Sequence, residues 1–145
     1  MARMLDLITK IQRGEVPPPP IATLIGFRIA AVEPGRAVME MEAGPQHANP
    51  MGTLHGGILG DLADAAMGMA YASTLDEGES FTTLELKINF LKPVWTGRLV
   101  ATGHVVKGGH TVGLVECDVH DEKERLVARA SSTCMTLRRT QAAGR

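Results

Sequence analysis

The stretch HGGILGDLADAAMGMAYAS, residues 55–73, decides how the rest of the chain is read. Leu62, Ala65, Ala66 and Met69 recur at i, i+3, i+4 and i+7, the spacing of one helical face. At ~1.5 Å per residue, a helix over these positions is roughly 28 Å long. Nine of its nineteen residues are Gly or Ala, and a Gly inside a helix costs ~1 kcal/mol relative to Ala. Gly60 and Gly68 therefore predict that another backbone comes close, as when a sheet curls around the helix. Apolar residues nearly all round the helix predict burial. The wider segment, residues 44–75, carries only two charges, Asp61 and Asp64.

Outward from this segment the period changes from helix to strand. In TLELKINFL, residues 83–91, Leu84, Leu86, Ile88 and Phe90 alternate strictly with their neighbours. Residues 98–106 and 111–119 follow as two strands joined by Lys107-Gly108-Gly109-His110, and residues 125–137 give a last strand. On the other side, residues 36–43 alternate as a half-buried strand after the turn Pro34-Gly35, with Phe27 to Val32 as its hairpin partner. Short turns between consecutive strands imply antiparallel pairing. The expected fold class is α+β, a curved antiparallel sheet wrapped around a long central helix. Leu5, Ile8 and Ile11 make residues 3–13 an amphipathic helix, and Pro17 to Pro20 form a stiff spacer. The expected division is residues 1–20 as N-terminal helix and proline-rich connector, and residues 21–145 as the main domain.

With 145 residues, 44% of them hydrophobic and 21% charged, one globular domain is expected. A net charge of −1 and only five aromatic residues argue against nucleic acid as a partner. Cys117 and Cys134 are too few for a disulfide scaffold. The histidines lack metal-ligand spacing, so no metal is expected. No run of ~20 apolar residues suggests a membrane span, and no signal sequence is recognised. A cytoplasmic protein is expected.

The chemistry concentrates at the start of the central helix. Free N–H groups at a helix N-terminus attract negative charge, and Gly56-Gly57 lets a ligand oxygen approach them, as in an oxyanion hole. A carboxylate on a buried helix must be paired or face a wet cavity. Asp61 and Asp64 are both candidates, and Asp64 is the preferred one. Gly57 and Asp64 lie seven residues apart, about 10 Å along a helix. A base must lie within ~3 Å of the reacting atom or water. If both act, an antiparallel second copy must bring Gly57 of one chain beside Asp64 of the other.

Asn49, Gly52, His55, Gly56, Gly57, Leu62 and Asp64, read as Asn-x-x-Gly-x-x-His-Gly-Gly followed by Leu-x-Asp, resemble the hotdog-fold acyl-CoA thioesterases. The phenylacetic-acid-degradation (PaaI-like) branch is the nearest match, over about residues 26–137. The resemblance implies a homodimer that commonly pairs into a tetramer, and hydrolysis of aryl- or medium-chain acyl-CoA without a cofactor, CoA being part of the substrate. By position it implies Asp64 as the catalytic carboxylate, Gly57 as the oxyanion N–H, and Asn49 and His55 as residues orienting the thioester or water. Thr83 falls where related enzymes carry a Ser or Thr beside the carboxylate of the same subunit. Asp61 departs from the family pattern, which favours a small or neutral residue there. Asp64 acts either as general base or as nucleophile, and His55 either takes part or caps the helix. Lys107, His110, Arg138 and Arg139 could meet CoA phosphates, although a solvated charged surface explains each of them as well. The alternatives are a non-catalytic acyl-CoA binding module, which would need an output domain, and an acyl-thioester hydratase.

Overall fold

The computed structural model describes residues 3–138; Arg139 and the tail QAAGR, expected to fray, lie outside them. Three α-helices and six strands follow in the order α1 (Met4–Gln12), α2 (Pro20–Ile25), β1 (Phe27–Glu33), β2 (Arg36–Ala43), α3 (Gly56–Ala72), β3 (Glu79–Phe90), β4 (Gly97–Gly108), β5 (Val112–Asp121) and β6 (Leu126–Arg138), with a 3-10 turn at Pro45–His47. Every strand pairing is antiparallel, in the order β1-β2-β4-β5-β6-β3. The expected α+β architecture is therefore present, a six-stranded sheet packed around one long helix.

Local chemistry sets the joints. Pro20 opens α2 at the position where a missing N–H and a fixed φ cost nothing. Gly26 closes it in the left-handed region, with φ 98°, and its N–H bonds back to the Ala22 carbonyl. The polyproline run is thus split, with Pro20 already helical. On the outer face of the sheet, Glu40 of β2 receives Arg28 of β1 at 2.7 Å and Arg98 of β4 at 2.6 Å, so one carboxylate ties three adjacent strands together.

The core lies between sheet and α3. Leu62, Ala63, Ala66, Met67 and Ala70 of α3 have no exposed surface. The predicted close approach of backbones exists, although at a different glycine. A Cβ on Gly103 of β4 would stand 2.5 Å from the Ala66 carbonyl oxygen and 2.9 Å from the Met67 nitrogen. Gly68 instead accommodates the Phe81 ring, 3.2 Å from a would-be Cβ, and Gly60 faces open space within the chain. The helix contributes alanine and the sheet the glycine, so the helix stays stiff where it is gripped. α1 joins the same core, with Ile8 only 2% exposed.

β3 departs from strict alternation. Its pairing with β6 slips between Thr83 and Glu85, leaving Leu84 as an unpaired bulge residue that is 53% exposed. The extra residue switches the strand's phase, so Leu86 and Ile88 pack on the core while Thr83 also turns toward α3. Phe90, the last of the alternating set, is 55% exposed, with its ring lying over Gly56 at the start of α3. Among the described residues, no helix is long and apolar enough to cross a membrane.

Candidate active site

The loop before α3 is held from below by a buried histidine. His47 accepts the Gly44 N–H on Nδ1 at 3.1 Å, which leaves Nε2 as the donor to the Ile25 carbonyl at 2.8 Å. Its own carbonyl accepts the His55 N–H at 2.9 Å. One ring therefore joins the end of α2 to the loop that enters α3.

Asn49 is turned into that loop. Its Oδ1 accepts the N–H groups of Met51 and Thr53 at 3.0 and 3.1 Å, and its Nδ2 donates to Thr53 Oγ1 at 2.7 Å. The side chain shapes the turn and does not reach the carboxylates. His55 caps α3, its Nδ1 accepting the Gly57 N–H at 3.0 Å. The expected oxyanion donor is thus held by its own cap. Both residues are exposed, so the imidazole can turn aside without disturbing the core.

Two turns along α3, Asp64 projects from the helix toward β3. Thr83 Oγ1 donates to Asp64 Oδ1 at 3.2 Å, within one chain as expected. Thr83 itself rests against Cys134 Sγ at 3.9 Å, a buried thiol whose pKa burial pushes up. Asp61, one turn earlier, is exposed. Partial burial lifts its carboxyl above the usual aspartate range, and the neighbouring charge of Asp64 adds to the shift. Asp64 and Thr83 are therefore brought together, as are His55 and Gly57, while the rise along α3 keeps the two pairs about 10 Å apart.

A cavity of about 640 Å³ opens beside Asp61, Asp64 and Thr83. Its remaining lining is almost entirely apolar, including Met39, Met69 and Phe81. The sequence did not single out this chamber, because its wall is assembled from segments far apart in the chain. Among the described residues, no group of three or more His, Cys, Asp or Glu side chains could hold a metal. Of the side chains considered for CoA phosphates, Arg138 is paired with Glu79 and bonded to the His110 carbonyl.

Such an arrangement, a held carboxylate at the mouth of an apolar chamber, suits water-dependent cleavage of an ester or thioester. Comparison with known proteins agrees. The model of the thioesterase superfamily matches residues 51–128. The 1,4-dihydroxy-2-naphthoyl-CoA hydrolase of Listeria monocytogenes is 31% identical over 109 residues, covering 75% of this chain and 89% of that protein. Acyl-coenzyme A thioesterase 13 of Homo sapiens is 30% identical over 107 residues, covering 72% and 76%. Among solved structures, a phenylacetic acid degradation-related protein of Ralstonia eutropha superposes with a TM-score of 0.81 at 33% identity, over 88% of this chain and 98% of that one.

Proposed function

The chain belongs to the thioesterase superfamily and is a thioester hydrolase, and from that premise we propose that it converts acyl-CoA and water to a free carboxylic acid and CoA, with Asp64 as the catalytic carboxylate. The observation that carries this reading is the Thr83–Asp64 pair at the mouth of the apolar chamber. Asp64 removes a proton from water as its oxygen bonds to the thioester carbonyl carbon; the C–S bond then breaks and CoA leaves as a thiolate, which takes up the proton. A thiolate leaves readily, so no strong general acid is required. Direct attack by Asp64, giving a mixed anhydride that water opens, uses the same geometry. The reaction as written needs no cofactor.

The negative charge that grows on the thioester oxygen needs a donor, and the N-terminus of α3 offers one once His55 releases the Gly57 N–H. Since Gly57 and Asp64 of one chain stand too far apart, the donor comes from a second copy. Gly57, Asp61 and Asp64 are all exposed along α3, Asp64 at the edge that meets β3, and Gly60 among them meets nothing within 4 Å. That open, small-residue face suits an antiparallel partner helix, giving a homodimer with two sites, or two such dimers paired. The reduced thiols of Cys117 and Cys134 suit the reducing cytoplasm.

The test is release of free thiol from a panel of aryl- and alkyl-CoA thioesters by wild type, Asp64→Ala and Asp61→Ala. Loss confined to Asp64→Ala supports the assignment. Full activity of Asp64→Ala refutes it.

A further inference from the structure

We propose that α1 and the prolines after it form the outer wall of the acyl chamber, and that this wall makes the enzyme discriminate acyl groups by length. The proposal rests on the thioesterase reading of Asp64 and adds to it where the rest of the substrate lies.

The chamber's lining is polar at one set of residues and apolar over the rest. Asp61, Asp64 and Thr83 make up the first. To the apolar lining α1 contributes Met4, Leu7, Ile8 and Ile11, continued by Val16 and Pro17 to Pro19. Two further polar residues reach the lining, Gln12 and Arg28, and both are engaged elsewhere. Gln12 Nε2 donates to the Ala30 carbonyl at 2.9 Å, and Arg28 pairs with Glu40 at 2.7 Å. A ligand carbonyl thus finds polar partners at Asp61, Asp64 and Thr83, which leaves the apolar lining, α1 included, for its hydrocarbon.

The wall is preformed. Ile8 anchors α1 in the core at 2% exposure, Arg3 Nε reaches the Leu75 carbonyl at 3.4 Å, and the prolines fix their own φ. About 640 Å³ is room for roughly twenty water-sized groups at ~30 Å³ each, more than an eight-carbon acyl group fills, so lengthening the acyl chain adds apolar contact. The flexible side chains of Met4, Met39 and Met69 adapt to a bending chain.

The test measures binding as well as hydrolysis. S-ethyl-CoA, S-octyl-CoA and S-(2-phenylethyl)-CoA are thioethers that cannot be hydrolysed, so their affinities report the chamber even if Asp64 has another role. Wild type should bind S-octyl-CoA at least ~10-fold tighter than S-ethyl-CoA. Leu7→Trp and Ile11→Trp, which fill the chamber, should reduce that preference by about tenfold, and the long-chain to short-chain kcat/KM ratio with it. Lys10→Trp, equally bulky on α1 but outside the lining, should leave both ratios unchanged. If either Trp variant melts early, Leu7→Ala, which widens the wall, should also lower the octyl preference. Unchanged octyl-to-ethyl ratios in properly folded variants would overturn the proposal. The phenylethyl-to-ethyl ratio should fall along with the octyl-to-ethyl ratio in the Trp variants, since both groups carry eight carbons into the same chamber. Failure of Asp64 to matter for thiol release, with thioether binding still sensitive to Leu7, would count against the catalytic assignment alone.

Discussion

Replacing Gly103 with alanine should loosen the grip of the sheet on α3. The new Cβ would sit 2.5 Å from the Ala66 carbonyl oxygen and 2.6 Å from the Ala66 carbonyl carbon. Ordinary contact begins at 3.4 Å, so helix and strand must separate by about 0.9 Å. The obstructing atoms are backbone in the middle of a 17-residue helix, and no side-chain rotamer can relieve the clash. Overpacking of a core costs about 1–3 kcal/mol, and a rigid obstacle on both sides places this case at the upper end. At ~2–4 °C per kcal/mol for a chain of this size, the melting temperature should fall by about 6–12 °C. Thermal and urea unfolding followed by circular dichroism reads both quantities. A Gly103→Ala protein that melts within about 1 °C of wild type would refute the reasoning about helix-on-sheet contact.

Other expectations follow from the same geometry. Gly60→Ala would gain up to ~1 kcal/mol of helix propensity in a lone chain; with a partner helix packed there it should instead weaken self-association, seen as a shift toward monomer in sedimentation. Thr83→Val removes the hydrogen bond to Asp64 and should lower kcat about tenfold with little change in KM, since a bond to a charged acceptor contributes about 1.5 kcal/mol or more. Burial pushes the Cys117 thiol up to about 12, so at pH 8 only on the order of one molecule in ten thousand carries the thiolate; thiol reagents should label it only after denaturation. Glu40, held below the usual carboxylate range chiefly by its hydrogen bond from Arg98, binds protons less readily folded than unfolded. Its stabilising contribution is present at neutral pH and is lost as pH falls through the depressed value, so Glu40→Gln should flatten the acid side of a stability profile.

Much of the fold was legible because its elements carry clean periods. The stripe of Leu62, Ala65, Ala66 and Met69 marked the helix, and alternation marked the strands, with ends close to those observed. The bulge at Leu84 was not legible. A strand of unbroken alternation gives no local sign that β6 will slip against it, and only the slip explains how Thr83 and Leu86 both face inward. The glycine at the tightest contact was also misplaced, because composition marks the helix as small without saying which partner residue meets it. At the site, the spacing of Asp64 and Gly57 was informative, as both lie on one helix of known rise. The cap of Gly57 by His55 and the inward turn of Asn49 depend on side-chain rotamers that spacing does not specify. The chamber wall from α1 joins residues distant in the chain, so no single window of sequence contains it.

The central claim is that Asp64 carries the chemistry, and thiol release by Asp64→Asn beside Asp61→Asn tests it most directly. The two side chains lie one turn apart on the same helix, and each substitution removes one charge with little change of shape. The account predicts a loss of about 10²–10⁴ in kcat for Asp64→Asn, the range of a missing general base, with Asp61→Asn within about tenfold of wild type. Full thiol release by Asp64→Asn, or the large loss falling on Asp61→Asn instead, would contradict it.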